Sequence, residues 1–202
     1  MNEIDTFVKA DQRLAGVVDR IPDDRWAEQV PSDFPTFDDG SYTFRQILDY
    51  QAYDEAWIPD MMAGRTIEDV GGDSYGDPHG SDLLGDAPAQ RFRDLTNKAI
   101  DAVIALEESE LDDRTVHYSY GDYSAREALW HAVVFRAMRS YDIAKAVGID
   151  STLPDDLTAA TWDIVEPNAE EWRAMGVFGP AVEVPHDASL QDRLLGLTGR
   201  RP

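Results

Sequence analysis

The chain has 202 residues, an apolar fraction of 43%, no Cys and a formal net charge of −22. That apolar content suits a packed core and is too high for general disorder, and the lack of Cys excludes disulfides, thiolate nucleophiles and zinc–thiolate sites. The acidic surface repels nucleic acid and anionic lipid, no apolar run is long enough to span a bilayer, and no leader pattern opens the chain, so the expectation is a cytoplasmic protein with no nucleic-acid or membrane partner.

Residues 4–20 read as a helix with Ile4, Phe7, Leu14, Val17 and Val18 on its apolar face, stopped by Pro22. Residues 22–42 hold four Pro or Gly and form a connector, pinned by Trp26, Phe34 and Phe37. Thr43 opens a second helix that runs to Gly64. Phe44, Ile47, Leu48, Ala52, Ala56 and Met62 suit its core side, and Pro59 kinks it. Tyr50 and Asp54 are four apart and share a face. Residues 68–87 are rich in Gly and Asp but lack calcium-loop spacing, so they read as a solvated loop carrying an exposed His79. Pro88 starts a third helix with Phe92, Leu95, Ala99, Ile100, Val103 and Leu106 inward, fading at the acidic run 107–113. Residues 115–123, TVHYSYGDY, alternate and contain a Gly-Asp turn, which predicts a short extended link.

The clearest helix is the fourth, from Ser124 to Gly148. Ser124 and Glu127 form a capping box, and Gly148 can take the left-handed conformation that closes a helix. Leu129, Ala132, Val133, Ala137, Tyr141 and Ala144 make one buried stripe. A second line, His131, Phe135, Arg139 and Asp142, is neither plain core nor plain surface, and most of the functional question lies there. Beyond Gly148, Pro154 starts another helical piece with Leu157, Trp162, Ile164 and Val165. Residues 170–175 add a turn, 176–187 are loop, and Asp187 caps a last short helix. With no internal repeat and no linker, the expectation is one all-α domain over residues 1–202, a helical bundle with long connections and a short helical tail.

The stretch VFGPAVEVPHDASLQDRLLGLTGRRP, with YDIAKAVG at 141–148 and the pairing of PTFDDGSYTFRQIL with GRTIEDVGGDSYGDPHGSDLLGDAP, resembles the mycothiol-dependent maleylpyruvate isomerase group of the DinB-like four-helix bundles. The resemblance spans nearly the full length. It implies a divalent metal such as zinc or nickel inside the bundle, held by a His of the second helix and by an acidic residue and a His four apart on the fourth, with mycothiol as co-substrate. In this register the three positions carry Tyr50, Phe135 and Arg139. A Phe cannot ligate, an Arg does not deprotonate and a protonated Tyr is a poor ligand, so the expected metal site is degenerate and no cofactor is expected.

Four readings follow. In the first, a metal-free descendant, Arg139 replaces the charge of the ion, Asp54 pairs with it and Tyr50 hydrogen-bonds nearby; the plainer version is a buried ion pair that sets helix register. In the second, a metal site has moved to Glu127 and His131, against which Glu127 is already a cap and His131, beside Trp130, suits an interior position. In the third, the chain is an unaltered family enzyme, a metal-dependent isomerase or transferase that uses a thiol on a small unsaturated or electrophilic substrate. In the fourth, it is a non-catalytic homodimer with Trp162 and Trp172 at an interface, against tail packing for both. Candidate pocket residues are Tyr50, Asp54, His131, Phe135, Arg139 and Asp142, with a small molecule as partner. Whether catalysis occurs stays open at this point.

Overall fold

The structure, a computed structural model, describes residues 1–36, 40–72, 74–77 and 80–202. The sequence-predicted positions Phe37 and His79 lie outside the described residues. Among the described residues the chain is mostly helical: α1 (Glu3–Val18), α2 (Phe44–Met62), α3 (Ile67–Val70), α4 (Pro88–Ile104), α5 (Ala125–Val147), α6 (Asp155–Ala174) and α7 (Leu190–Leu197). Its described strands are β1 (Thr115–Tyr118) and β2 (Gly121–Ser124). No helix among them is long and apolar enough to cross a membrane.

The long helices begin where local chemistry satisfies their free amides. Asn2 caps α1 through Asp5 N. Thr43 with Gln46, and Ser124 with Glu127, close two-way capping boxes on α2 and α5. Gly148 ends α5 at φ 80°, ψ 28°, and its N–H donates to the carbonyls of Ala144 and Lys145. The apolar stripes of α1, α2, α4 and α5 pack together. Phe7, Leu14, Phe44, Leu48, Phe92 and Leu129 are fully buried there. Trp26 and Phe34 tuck the 22–42 connector against this core, at 6% and 8% exposure.

Three local expectations are corrected. Residues 115–123 do not form a simple link. They form an antiparallel hairpin whose register pairs Thr115 with Ser124 and Tyr118 with Gly121, so its turn is Ser119–Tyr120 and Gly121–Asp122 lie in β2. Residues 170–175 are not a separate turn, because α6 runs unbroken through Pro167. The cap of α7 is Ser189, whose hydroxyl accepts from Asp192 N at 3.0 Å, and not Asp187.

The packing order decides where a site can form. Helix α5 lies along α1, α1 along α4, and α4 along α2. Helices α2 and α5 are not among the closely packed pairs. A seam remains between them, bridged by side chains rather than by backbone approach.

Candidate functional site

Arg136 spans the bottom of the seam. It is 2% exposed, and its Nε donates to Asp11 Oδ1 of α1 at 2.5 Å. Its second guanidinium nitrogen donates to Glu55 Oε2 of α2 at 2.8 Å, and its carbon lies 4.9 Å from the centre of the Phe7 ring. Burial pulls its acidity the other way, but the Glu55 and Asp11 charges outweigh burial and hold the proton more firmly than usual. Three helices are thus tied through one planar fork.

One turn further along α5, Arg139 faces the same seam at 5% exposure. It donates to the Pro35 carbonyl at 2.9 Å and lies over Phe34 and Phe135, 5.2 and 5.3 Å from the ring centres. Burial lowers its proton affinity, and the Asp142 carboxylate opposes that. The expected direct ion pair of Arg139 with Asp54 is absent: the two act on each other through space, without an ion-pair contact. The ion pair that sets helix register is formed instead by Arg136.

Asp54 is the least committed polar group of the seam. It is half-buried, and among the described residues its carboxylate accepts no hydrogen bond. Burial is the main cause that pushes its acidity up to about 7, with the neighbouring Glu55 adding to it and Arg136 and Arg139 opposing it. Tyr50, one turn before it, is pushed up to about 12, first by burial and then by the Asp54 charge.

The hairpin supplies the other wall, which the sequence reading did not include. Tyr118 and Tyr120 stack with centres 5.0 Å apart, and both feel the charge of Asp54. His131 packs edge-on to Tyr123 at 4.7 Å and to Trp172 at 5.6 Å. Tyr118 donates its hydroxyl to the Ala128 carbonyl at 3.0 Å. Burial raises both Tyr118 and Tyr120 and lowers His131, so the wall is uncharged at neutral pH. Tyr120 is the exposed member of the cluster, at 60%.

The sequence-predicted residues divide accordingly. Tyr50, Asp54, Phe135 and Arg139 come together, and His131 reaches the seam through the tyrosine cluster. Asp142 is committed elsewhere: both its oxygens accept from Arg200 of the C-terminal tail, at 2.7 and 2.8 Å. Glu127 is spent on the Ser124 cap, with bonds of 3.0 and 2.8 Å. Trp162 and Trp172, read as interface or tail-packing residues, are half-buried; Arg193 covers Trp162 at 4.6 Å, and Trp172 meets Phe178 at 5.7 Å. His117 bonds Asp122 across the hairpin at 2.7 Å, and His186 is exposed in the loop before α7.

The resemblance implied a metal ion and mycothiol, and the residues do not fit the ion. The three positions offer a phenol that stays protonated, a ring without a donor atom and a guanidinium. Among the described residues no group of three His, Asp or Glu converges as a ligand set. Protein-family models, curated proteins and solved structures give no match to this chain.

Proposed function

We propose that this chain is a metal-free branch of the mycothiol-dependent maleylpyruvate isomerase group, a DinB-like four-helix bundle working in the cytoplasm, whose α2–α5 seam takes a small organic molecule. The observation that carries the reading is Asp54: a half-buried carboxylate with no donor among the described residues, titrating near 7, set between two guanidiniums and an aromatic wall. A carboxyl shifted by burial together with specific charge neighbours is a functional-site candidate. A ligand that brings an N–H or O–H to Asp54 supplies the missing donor, and the rings of Tyr118, Tyr120 and Phe135 cover its apolar part. At neutral pH Asp54 can accept or return a proton with little driving force, which suits general acid–base work. Arg139 replaces a metal charge with a fixed one.

The test is a small-molecule screen by thermal shift on wild type, Asp54→Asn and Arg139→Ala, with metal content measured by mass spectrometry on the same samples. The reading expects compounds that raise the melting temperature of wild type but not of Asp54→Asn, on a protein without stoichiometric transition metal. A tightly held ion at about one per chain overturns it, as do compounds that bind all three proteins equally.

A further inference from the structure

Around Arg136 the buried carboxylates outnumber the cation. Asp11 and Glu55 both have side chains with 0% exposure, and both contact the one guanidinium. Their four oxygens are not equally served. Asp11 Oδ1 and Glu55 Oε2 accept from Arg136, and Glu55 Oε1 accepts from Gln51 Nε2 at 2.9 Å. Asp11 Oδ2 has no protein donor, yet it belongs to a carboxyl within hydrogen-bonding reach of Glu55. With both groups ionised, the layer would hold an uncompensated negative charge and a buried oxygen without a partner, each of which is costly away from water.

We propose that Asp11 and Glu55 share a single proton, carried on Asp11 Oδ2 and donated to Glu55, so that Arg136 closes an electroneutral layer. One proton removes both costs at once: it cancels the excess charge and turns the orphan acceptor into a donor. Helix α5 faces the pair with Arg136, the cation that acts on Asp11, whereas Arg139, one turn on, acts on Asp142 and Asp54; α2 brings Glu55 and Asp54; the hairpin brings Tyr118, which burial keeps neutral; and the buried polar residue of α4 is the uncharged Thr96. The ion pair that joins α1 to α6, Lys9 with Asp156, lies at the surface. Burial and the Glu55 charge hold the Asp11 carboxyl well above its usual range against the pull of Arg136. The arrangement is a proton-dependent lock, since a proton lost at high pH restores the excess charge at the junction of three helices.

The test uses Asp54→Asn as the parent, which removes the seam carboxyl pushed up to about 7 and leaves Asp11 as the raised Asp under study. Asp11→Asn copies the protonated acid: its oxygen still accepts from Arg136, and its amide donates to Glu55. The expected result is that Asp11→Asn melts with the parent at pH 6–7 and above it by several degrees at pH 9, whereas Asp11→Ala melts lower at both. Carbon NMR of the parent, labelled at Asp and Glu carboxyl carbons, should show at pH 7 a protonated-acid resonance that disappears in Asp11→Asn. If neither variant folds, that resonance in the parent decides. Its absence overturns the proposal, as does its persistence in Asp11→Asn or an Asp11→Asn protein as damaged as Asp11→Ala.

Discussion

Arg136 and Arg139 stand three residues apart on α5, and their surroundings give them opposite roles. Arg136 is consumed by two carboxylates and a carbonyl; removing it would strand both acids, a change of the kind that costs about 3–5 kcal/mol. Arg139 rests on the rings of Phe34 and Phe135 and donates to the Pro35 carbonyl, with the Asp142 and Asp54 charges acting on it. Asp54, between them, should leave a pH signature of its own. Its acidity is about 7 in the fold against the usual value near 4, so between these the folded state keeps a proton that the unfolded chain has lost. Its contribution is therefore complete below pH 4 and is lost as pH rises through 7. Urea unfolding should show wild type losing stability, relative to Asp54→Asn, on the order of 4 kcal/mol between pH 4 and pH 8. Equal pH dependence in the two proteins would remove Asp54 from the site. Tyr50 with Asp54 on α2, and Phe135 with Arg139 on α5, were readable because helical spacing puts each pair on one face, and the family resemblance set the two faces together. Arg136, Asp11 and Glu55 were missed, although each interrupts an apolar stripe with a charge, and three such interruptions on three helices are the signal that could have found them.

At the scale of the element, the helices were legible where caps and stripes agree. Ser124–Glu127 and Gly148 bracket α5, and every residue of its expected apolar stripe is buried. The tail was less legible, since its geometry depends on a distant partner strand of chain. Gly196 shows why. It donates no side chain, accepts from Val182 N at 2.8 Å, and a Cβ there would meet the Val182 carbonyl at 2.6 Å and a Val184 methyl at 2.9 Å. Gly196→Ala should therefore cost about 1–3 kcal/mol, although alanine favours helices, and chemical denaturation should show it. A stabilised protein would mean that residues 182–184 do not press on α7. The hairpin was half legible: alternation announced extended chain, but the pairing register moved the turn from Gly121–Asp122 to Ser119–Tyr120 and carried two tyrosines into the seam wall.

Across the whole molecule, charge works against packing. The chain carries 40 acidic and 18 basic side chains, and many of the acids are exposed. Their mutual repulsion is long-ranged in dilute salt and screened beyond ~3 Å in molar salt. The melting temperature should rise between about 0.01 M and 0.5 M sodium chloride, with each kcal/mol of relieved repulsion worth about 2–4 °C. A melting temperature that stays flat or falls would mean that the surface ion pairs, such as Arg126 with Asp112 and Glu3, offset the repulsion. The helical class was accessible from periodicity, but the order in which helices neighbour one another was not, because that order arises from side chains meeting across distances no local pattern encodes.

That order has a mechanical side. Along three edges, helix rests on helix over many turns, whereas the edge between α2 and α5 is spanned by a guanidinium reaching one carboxylate. An edge of the first kind yields only by shearing a long contact; the last has few close backbone approaches and is pinned at one point by a buried ion pair, which makes it a latch. Swelling of the molecule, by heat, pressure or an arriving guest, would begin there, where the helices approach least closely.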